Sequence, residues 1–141
     1  MTRDRDDLLR LIHLGESLDL EFKSDSGPLS SSEMYDEVVA LANCEGGVLL
    51  IGVEDDGTIT GSQSRGGAPM QACKMRAAVF GNTVPALQVQ ASVVSLDGKD
   101  VVAIEVPYSE TIVSTTAGVC KRRALGGDGR PATIPFPPIE H

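Results

Sequence analysis

Three stretches of the chain repeat their apolar residues at the spacing of an amphipathic helix. This pattern predicts helices over residues 6–14, 31–45 and 70–82. The second stretch begins with Ser30-x-x-Glu33, a capping-box pattern in which the serine accepts a hydrogen bond from a backbone N–H of the first turn. The paired glycines Gly46 and Gly47 predict its end, because glycine readily leaves the helical conformation.

Other apolar residues follow the patterns of β-strands. Residues 18–23 alternate between apolar and polar, as in a strand with one buried face, whereas residues 48–53 form the unbroken apolar run of a central strand. Asp56-Gly57 and Asp97-Gly98 are strong hairpin turns. They predict a return strand over 58–60 and two alternating strands over 87–107, and a further strand pair is predicted within 112–124.

The order of these elements is helix, strand, helix, hairpin, helix, hairpin, which predicts an α+β domain. Its mixed β-sheet would be built from two hairpins plus the N-terminal strand and packed with about three helices. We expect this domain to occupy residues 1–125. Residues 126–141 are dense in glycine and proline and are predicted to form an extended tail or linker, after which we expect a further C-terminal domain.

Composition narrows the class of protein. Hydrophobic residues make up 41% of the 141 residues and charged residues 23%, and no apolar stretch approaches the ~18 residues of a membrane helix. The first ten residues lack the apolar core of a signal peptide, and the three cysteines form no CxxC pair, so we expect a cytoplasmic protein without a membrane partner. The chain contains no nucleotide-binding loop of the G-x-x-x-x-G-K-[S/T] type.

The net charge of −8 is unevenly distributed. Residues 1–60 carry 14 acids against 4 bases, whereas residues 61–141 carry 6 acids against 8 bases. An acidic half could gather cations while a mildly basic half meets a polyanion. The alternative is a solvated acidic surface with no partner, and charge alone favours that alternative.

Several motifs together resemble the Schlafen-like, AlbA-type domain family, whose members are classed as DNA-binding. The matching residues begin with Glu16 and Glu21-Phe22-Lys23, continue through Ala40-Leu41-Ala42-Asn43 and the paired glycines, and reach Gly52-Val53-Glu54-Asp55 and Gly61. The resemblance resumes at "CKRRALGGDGRPA", residues 120–132. It implies a nucleic-acid-binding domain, DNA or RNA, as the N-terminal module of a transcriptional regulator. Because similar vertebrate proteins pair two such lobes and this chain holds one, homodimerisation is expected if a two-lobed groove is needed.

The resemblance also implies a candidate catalytic site. Certain Schlafen-type ribonucleases use the equivalents of Glu16, Glu21 and Asp55 around a divalent cation, with the equivalent of Lys23 beside them. Carboxylates suit Mg²⁺ or Mn²⁺, and such a metal can activate water for attack on a phosphate. A metal-dependent endoribonuclease is therefore the alternative to a binding module. A plain strand face and a tight turn would explain the same residues without any metal.

Basic residues near the end of the domain form a second candidate site. Lys121, Arg122, Arg123 and Arg130 are candidates for contact with nucleic-acid phosphates. On a strand, Lys121 and Arg123 would share one face and Arg122 the other. Salt bridging to the acidic half of the chain is an equally weighted alternative. A third function, a structural or dimerisation domain, also stays open.

Overall fold

The computed structural model describes residues 3–63 and 71–137. Its helices are α1 (Arg5–Leu14), α2 (Ser31–Ala42) and α3 (Ala72–Gly81). Its strands are β1 (Leu20–Lys23), β2 (Gly47–Ile51), β3 (Thr83–Val84), β4 (Gln90–Leu96), β5 (Lys99–Val106), β6 (Ser114–Thr115), β7 (Lys121–Leu125) and β8 (Pro131–Pro135). Within the described ranges, no helix is long and apolar enough to cross a membrane.

The central sheet has the strand order β1-β2-β5-β4. β1 runs parallel to β2, while β5 is antiparallel to both β2 and β4. The mixed sheet and the three helices confirm the α+β class predicted from the sequence. The hairpin around Asp97-Gly98 is also confirmed, since β4 and β5 pair from Gln90 with Glu105 to Leu96 with Lys99.

Each face of this sheet is covered by helices. On one face, residues of α2 and α3 such as Val38 and Val79 pack with Leu49 and Ile104 of the central strands. On the other face, Leu8 and Ile12 of α1 belong to a second core cluster. The alternation within β1 follows from this layering, because Leu20 and Phe22 join the α1 side. Glu21 and Lys23 therefore lie on the α2 side.

The predicted return strand after Asp56-Gly57 is reduced to one isolated bridge between Val53 and Ile59. β2 already has β1 on one edge and β5 on the other, so no edge remains for a third partner. The backbone N–H groups of Thr60 and Gly61 both donate to the carbonyl of Gly52 instead, which turns the chain away from β2.

The C-terminal part differs from the predicted tail. Residues 126–141 were predicted to be an extended tail or linker, but Pro131–Pro135 form β8, antiparallel to β7. The two strands meet through a turn in which the N–H of Gly126 donates to the carbonyl of Arg130. Proline has no N–H to donate, so it fits a strand at positions where the ladder requires no N–H. A two-stranded ladder such as this one offers such positions. We call this ladder, residues 121–135, the β7–β8 hairpin; residues 138–141 of the predicted tail lie outside the described residues.

Candidate functional site

β1 carries two of the candidate catalytic residues. Glu21 and Lys23 lie opposite Leu49 and Ile51 of β2, on the sheet face that α2 covers. Only 7% of Glu21 is exposed. The strand therefore points a carboxylate into a nearly dry environment beneath α2, where a charged group needs a partner.

A cleft of about 730 Å³ opens beside β1. It gathers all four candidate catalytic residues, together with residues of α2, of the turn after Val53 and of the β7–β8 hairpin. We call it the acidic cleft; its lining residues are Glu16, Glu21, Lys23, Glu37, Asp55, Asp56, Asp128, Arg130, Pro131, Ala132 and Thr133. Glu16, Glu21, Lys23 and Asp55 thus line one cleft, while their roles as a catalytic or metal site stay a prediction.

The acidic side chains nevertheless play different roles. Glu16 accepts a hydrogen bond from the backbone N–H of Phe22, with 3.1 Å between nitrogen and Oε1. Asp55 is exposed at the rim of the acidic cleft, on the tight turn that contains Gly57. Glu21 forms a buried ion pair with Arg123, whose Nη1 donates to Oε2 of the glutamate.

A second carboxylate continues this network on the α2 side. Thr133, the direct ladder partner of Arg123, accepts a hydrogen bond from Nη1 of the arginine at 3.0 Å and donates to Glu37 Oε2 at 2.8 Å. Lys23 Nζ lies 3.8 Å from the other oxygen of Glu37. Cations and hydroxyls of the chain itself thus surround the buried carboxylates.

Burial raises the pKa of Glu21 to about 7, and the neighbouring Glu37 and Glu16 carboxylates add to this shift. Arg123 and Lys23 act in the opposite direction but do not outweigh the loss of solvent. The pKa of Glu16 is also raised, mainly by burial, with Asp55 contributing repulsion and the Phe22 N–H opposing it.

Divalent metals require several oxygen ligands converging at about 2.0–2.6 Å from one point. Across residues 3–63 and 71–137, no group of three or more His, Cys, Asp or Glu side chains is arranged to hold a metal ion. The reason is visible in the contacts: Arg123 holds Glu21, and a backbone N–H holds Glu16. In this arrangement Glu16, Glu21 and Asp55 do not fit Mg²⁺ or Mn²⁺, and the metal site stays a prediction.

Of the basic residues proposed to contact nucleic acid, one is buried and three are partly or fully exposed. The Arg123 side chain is 0% exposed, so a phosphate cannot reach its guanidinium, and the salt-bridge alternative applies to it. Lys121 is partly exposed and lies 3.9 Å from Asp36. Arg122 projects to the opposite face of β7, where its guanidinium lies 5.6 Å from the centre of the Phe136 ring. Arg130 is exposed on the turn of the hairpin.

Two participants in the site were not among the candidates. Glu37 reads in the sequence as an ordinary helix carboxylate, and Thr133 lies in the segment predicted to be a linker. One signal was available for Glu37, because it lies three residues after Met34 and four before Leu41, beside the buried stripe of α2. For Thr133 there was none, since its role depends on its pairing with Arg123.

Comparison with known families shows which family the chain belongs to. The model of the family described as "Schlafen, AlbA_2" matches residues 16–128. The chain belongs to this family. The resemblance inferred from the sequence is thereby confirmed, and the matched range includes both the β1 residues of the acidic cleft and Arg123. No curated protein matches this Schlafen AlbA_2 chain.

Two solved structures are similar to this Schlafen AlbA_2 domain. The DIP2311 protein of Corynebacterium diphtheriae is 25% identical, with a TM-score of 0.61, over 84% of this chain and 22% of its own. The chain thus spans about a fifth of that protein. The N-terminal domain of a Nitrosomonas europaea protein named "Putative ATP-dependent DNA Helicase RecG-related Protein" is 22% identical with a TM-score of 0.56. Coverage there is 82% of both chains, and this second likeness concerns the fold alone.

Proposed function

We propose that this Schlafen AlbA_2 domain binds nucleic acid through Arg122 and Arg130 of the β7–β8 hairpin. The observation that carries the proposal is the family match over residues 16–128. The similar N-terminal domain belongs to a protein named as related to the DNA helicase RecG, which is consistent with the proposal. The target, DNA or RNA, is left to experiment, and both are included in the test below.

The hairpin offers one arginine on the side that faces away from the acidic cleft, which we call its outer face. Arg122 projects from β7 opposite to Arg123, and it lies against the Phe136 ring. Lys121 is partly exposed on the same face of β7 as Arg123, and Arg130 is exposed on the turn of the hairpin, where it also lines the acidic cleft. Arginine beside an aromatic ring is a combination that binds phosphate and packs against bases. The carboxylates of the acidic cleft repel phosphates, so Arg122, on the outer face, is better placed for a phosphate contact than a cation beside the cleft.

The net charge of −8 predicts weak binding that depends strongly on salt. Fluorescence anisotropy at low salt, with labelled single-stranded and double-stranded DNA and RNA, measures this binding directly. We expect the double substitution Arg122→Ala and Arg130→Ala to weaken binding by at least ~10-fold, the loss expected from two phosphate contacts. Arg10→Ala is the matched control, because Arg10 lies in α1 on the opposite side of the sheet and pairs with Asp7.

Absence of binding to all four nucleic acids at low salt would refute the proposal. Equal loss with Arg10→Ala would show that net charge, rather than the hairpin, governs the interaction. A finer proposal is that the domain is the N-terminal module of a transcriptional regulator, and the length of the Corynebacterium diphtheriae protein, of which this chain spans 22%, supports a modular arrangement. Footprinting on duplex DNA tests it, since a regulator protects a defined site.

A metal-dependent endoribonuclease is the second candidate function. Glu16, Glu21, Lys23 and Asp55 all line the acidic cleft, but Glu21 would have to leave Arg123 before it could bind a metal ion. Incubation of a structured RNA with Mn²⁺, comparing the wild type with Glu21→Ala, tests it. Cleavage that the substitution abolishes would support an enzyme, whereas equal cleavage by both proteins would indicate another site or a contaminant.

A structural or dimerisation domain is the third candidate. It predicts no nucleic-acid binding and a homodimer whose interface covers the β7–β8 hairpin. Light scattering coupled to size-exclusion chromatography gives the oligomeric state. A dimer that dissociates with Arg122→Ala and Arg130→Ala, in a protein that binds no nucleic acid, would favour this candidate.

A further inference from the structure

Arg123 makes more contacts than an ion pair requires. Besides Glu21 and Thr133, its guanidinium donates to three backbone carbonyls of the segment that leads into β1. Nη2 donates to Ser17 at 2.8 Å and to Leu20 at 3.4 Å, and Nε donates to Leu18 at 3.4 Å. Every N–H-bearing nitrogen of the fork thus has a partner, as a fully buried guanidinium needs.

The carbonyl contacts lie at the open edge of the central sheet. β1 is an outer strand that pairs with β2 alone within this sheet. Arg123 comes from β7, which packs against α2, and reaches across to this edge. One side chain therefore joins the β7–β8 hairpin both to the backbone before β1 and to the carboxylate that β1 directs under α2.

We propose that Arg123 is the resident cation of the acidic cleft, and that through it the β7–β8 hairpin closes the Glu21 side of the cleft to divalent cations. Glu21 is held directly by the guanidinium, and Glu37 is held through the Thr133 hydroxyl. A metal ion bound to Glu21 would have to displace a buried guanidinium that also holds three carbonyls. Arginine does not lose its charge by deprotonation, so the position stays cationic at any pH at which the protein is folded.

The behaviour of buried ion pairs supplies a test that does not depend on nucleic-acid binding. Removing one partner leaves an uncompensated charge and is strongly destabilising, whereas replacing both partners by neutral side chains is much milder. A divalent cation can replace a missing guanidinium only if the carboxylates then converge on it. Removing the Arg123 guanidinium and then supplying a divalent cation therefore tests which cation compensates Glu21.

The experiment compares four versions of the 141-residue chain after treatment with a chelator: wild type, Arg123→Met, Glu21→Gln and the double variant. Methionine keeps an unbranched apolar stem but carries no charge. Mn²⁺ binding is measured by isothermal titration calorimetry, and thermal unfolding is measured with Mn²⁺ and with EDTA. Lys121→Met is the matched control, because Lys121 lies on the same face of β7 but pairs with Asp36 at 3.9 Å.

We expect the wild type and Lys121→Met to show no Mn²⁺ binding below ~1 mM and the same unfolding temperature with Mn²⁺ as with EDTA. Arg123→Met should unfold at a lower temperature, and Mn²⁺ should restore part of the loss. The double variant should recover stability without any response to Mn²⁺. Stoichiometric Mn²⁺ binding by the wild type that Glu21→Gln removes would overturn the proposal.

The proposal would also fail if Arg123→Met folded and its stability did not respond to Mn²⁺. If Arg123→Met does not fold, recovery of a folded protein by the double variant supports the pairing. If neither variant folds, Arg123→Lys tests the proposal. A folded Arg123→Lys protein whose stability does not respond to Mn²⁺ supports a resident cation. Mn²⁺ binding by this variant or by the wild type contradicts the proposal.

Discussion

Asn43 and Val113 exchange two hydrogen bonds although 70 positions separate them in the chain. Asn43 Nδ2 donates to the carbonyl of Val113 at 2.8 Å, and Oδ1 accepts from its N–H at 2.8 Å. The same Nδ2 donates to the carbonyl of Lys121 at 2.9 Å. The end of α2 is thereby joined to the segment before β6 and to the first residue of β7, so this asparagine also fixes where the β7–β8 hairpin starts.

Asn43→Ala should therefore destabilise the domain by roughly 2–4 kcal/mol, because it leaves backbone groups of Val113 and Lys121 without partners in a half-buried site. Urea unfolding followed by circular dichroism measures the change. Gln88→Ala, at an exposed position, is the control and should change stability by no more than ~0.5 kcal/mol. A change of that small size in Asn43→Ala would show that water replaces the amide.

The sequence predicted the parts of the fold that depend on local patterns. Residues close together in the chain determine the α1, α2 and β1 patterns, the β4–β5 turn and the Ser30 cap. In that cap, Ser30 Oγ accepts a hydrogen bond from the Glu33 N–H at 3.2 Å. The β7–β8 hairpin depends instead on the pairing of its two strands, whereas its glycine and proline content is typical of a linker. The burial of Arg123 was equally hidden, because a run of three basic residues is normally solvated and its partner Glu21 lies 102 positions away.

The close approach of two backbones at Gly47 gives a second prediction. Gly47 has φ +143°, and a Cβ built there would overlap the backbone of Asp19, which precedes β1. Gly47→Ala should thus separate β1 from β2 and cost at least ~2 kcal/mol. The control is Gly27→Ala, since a Cβ at Gly27 meets no atom within 4 Å. Urea unfolding of both variants checks this, and equal stabilities would mean that β1 adjusts to the added methyl group.

The buried Glu21 predicts a pH dependence of stability. Its pKa is raised to about 7 in the folded protein, above the ordinary value of about 4.3 that applies when unfolded. Between these values the folded state binds more protons, so the contribution of Glu21 is greatest below pH ~4.3 and is lost as the pH rises through about 7. A difference of this size corresponds to on the order of 4 kcal/mol.

Glu21→Gln should remove this dependence, so the stability difference between wild type and variant should change over the range from pH ~4.3 to about 7. Urea unfolding at a series of pH values measures it. The exposed Glu110→Gln variant should instead run parallel to the wild type. A difference curve for Glu21→Gln that is flat across this range would show that Arg123 keeps Glu21 ionised.

The last prediction concerns how many phosphates the hairpin contacts. If Arg122 and Arg130 each neutralise one phosphate, the logarithm of the binding constant should fall with the logarithm of salt concentration. Removing one of these arginines should reduce the slope by about 0.7 on single strands or about 0.9 on duplex DNA. The proposed contact through the β7–β8 hairpin predicts this reduction for Arg122→Ala and for Arg130→Ala separately.

Anisotropy titrations at several salt concentrations give the slopes. Arg10→Ala, on the α1 side of the sheet, should weaken binding slightly through net charge but leave the slope unchanged. Lys121→Ala should fall between the two cases, because Lys121 already lies 3.9 Å from Asp36 and must leave that carboxylate to reach a phosphate. Unchanged slopes for both hairpin arginines would place the phosphate contacts elsewhere on the domain, even if binding itself is strong.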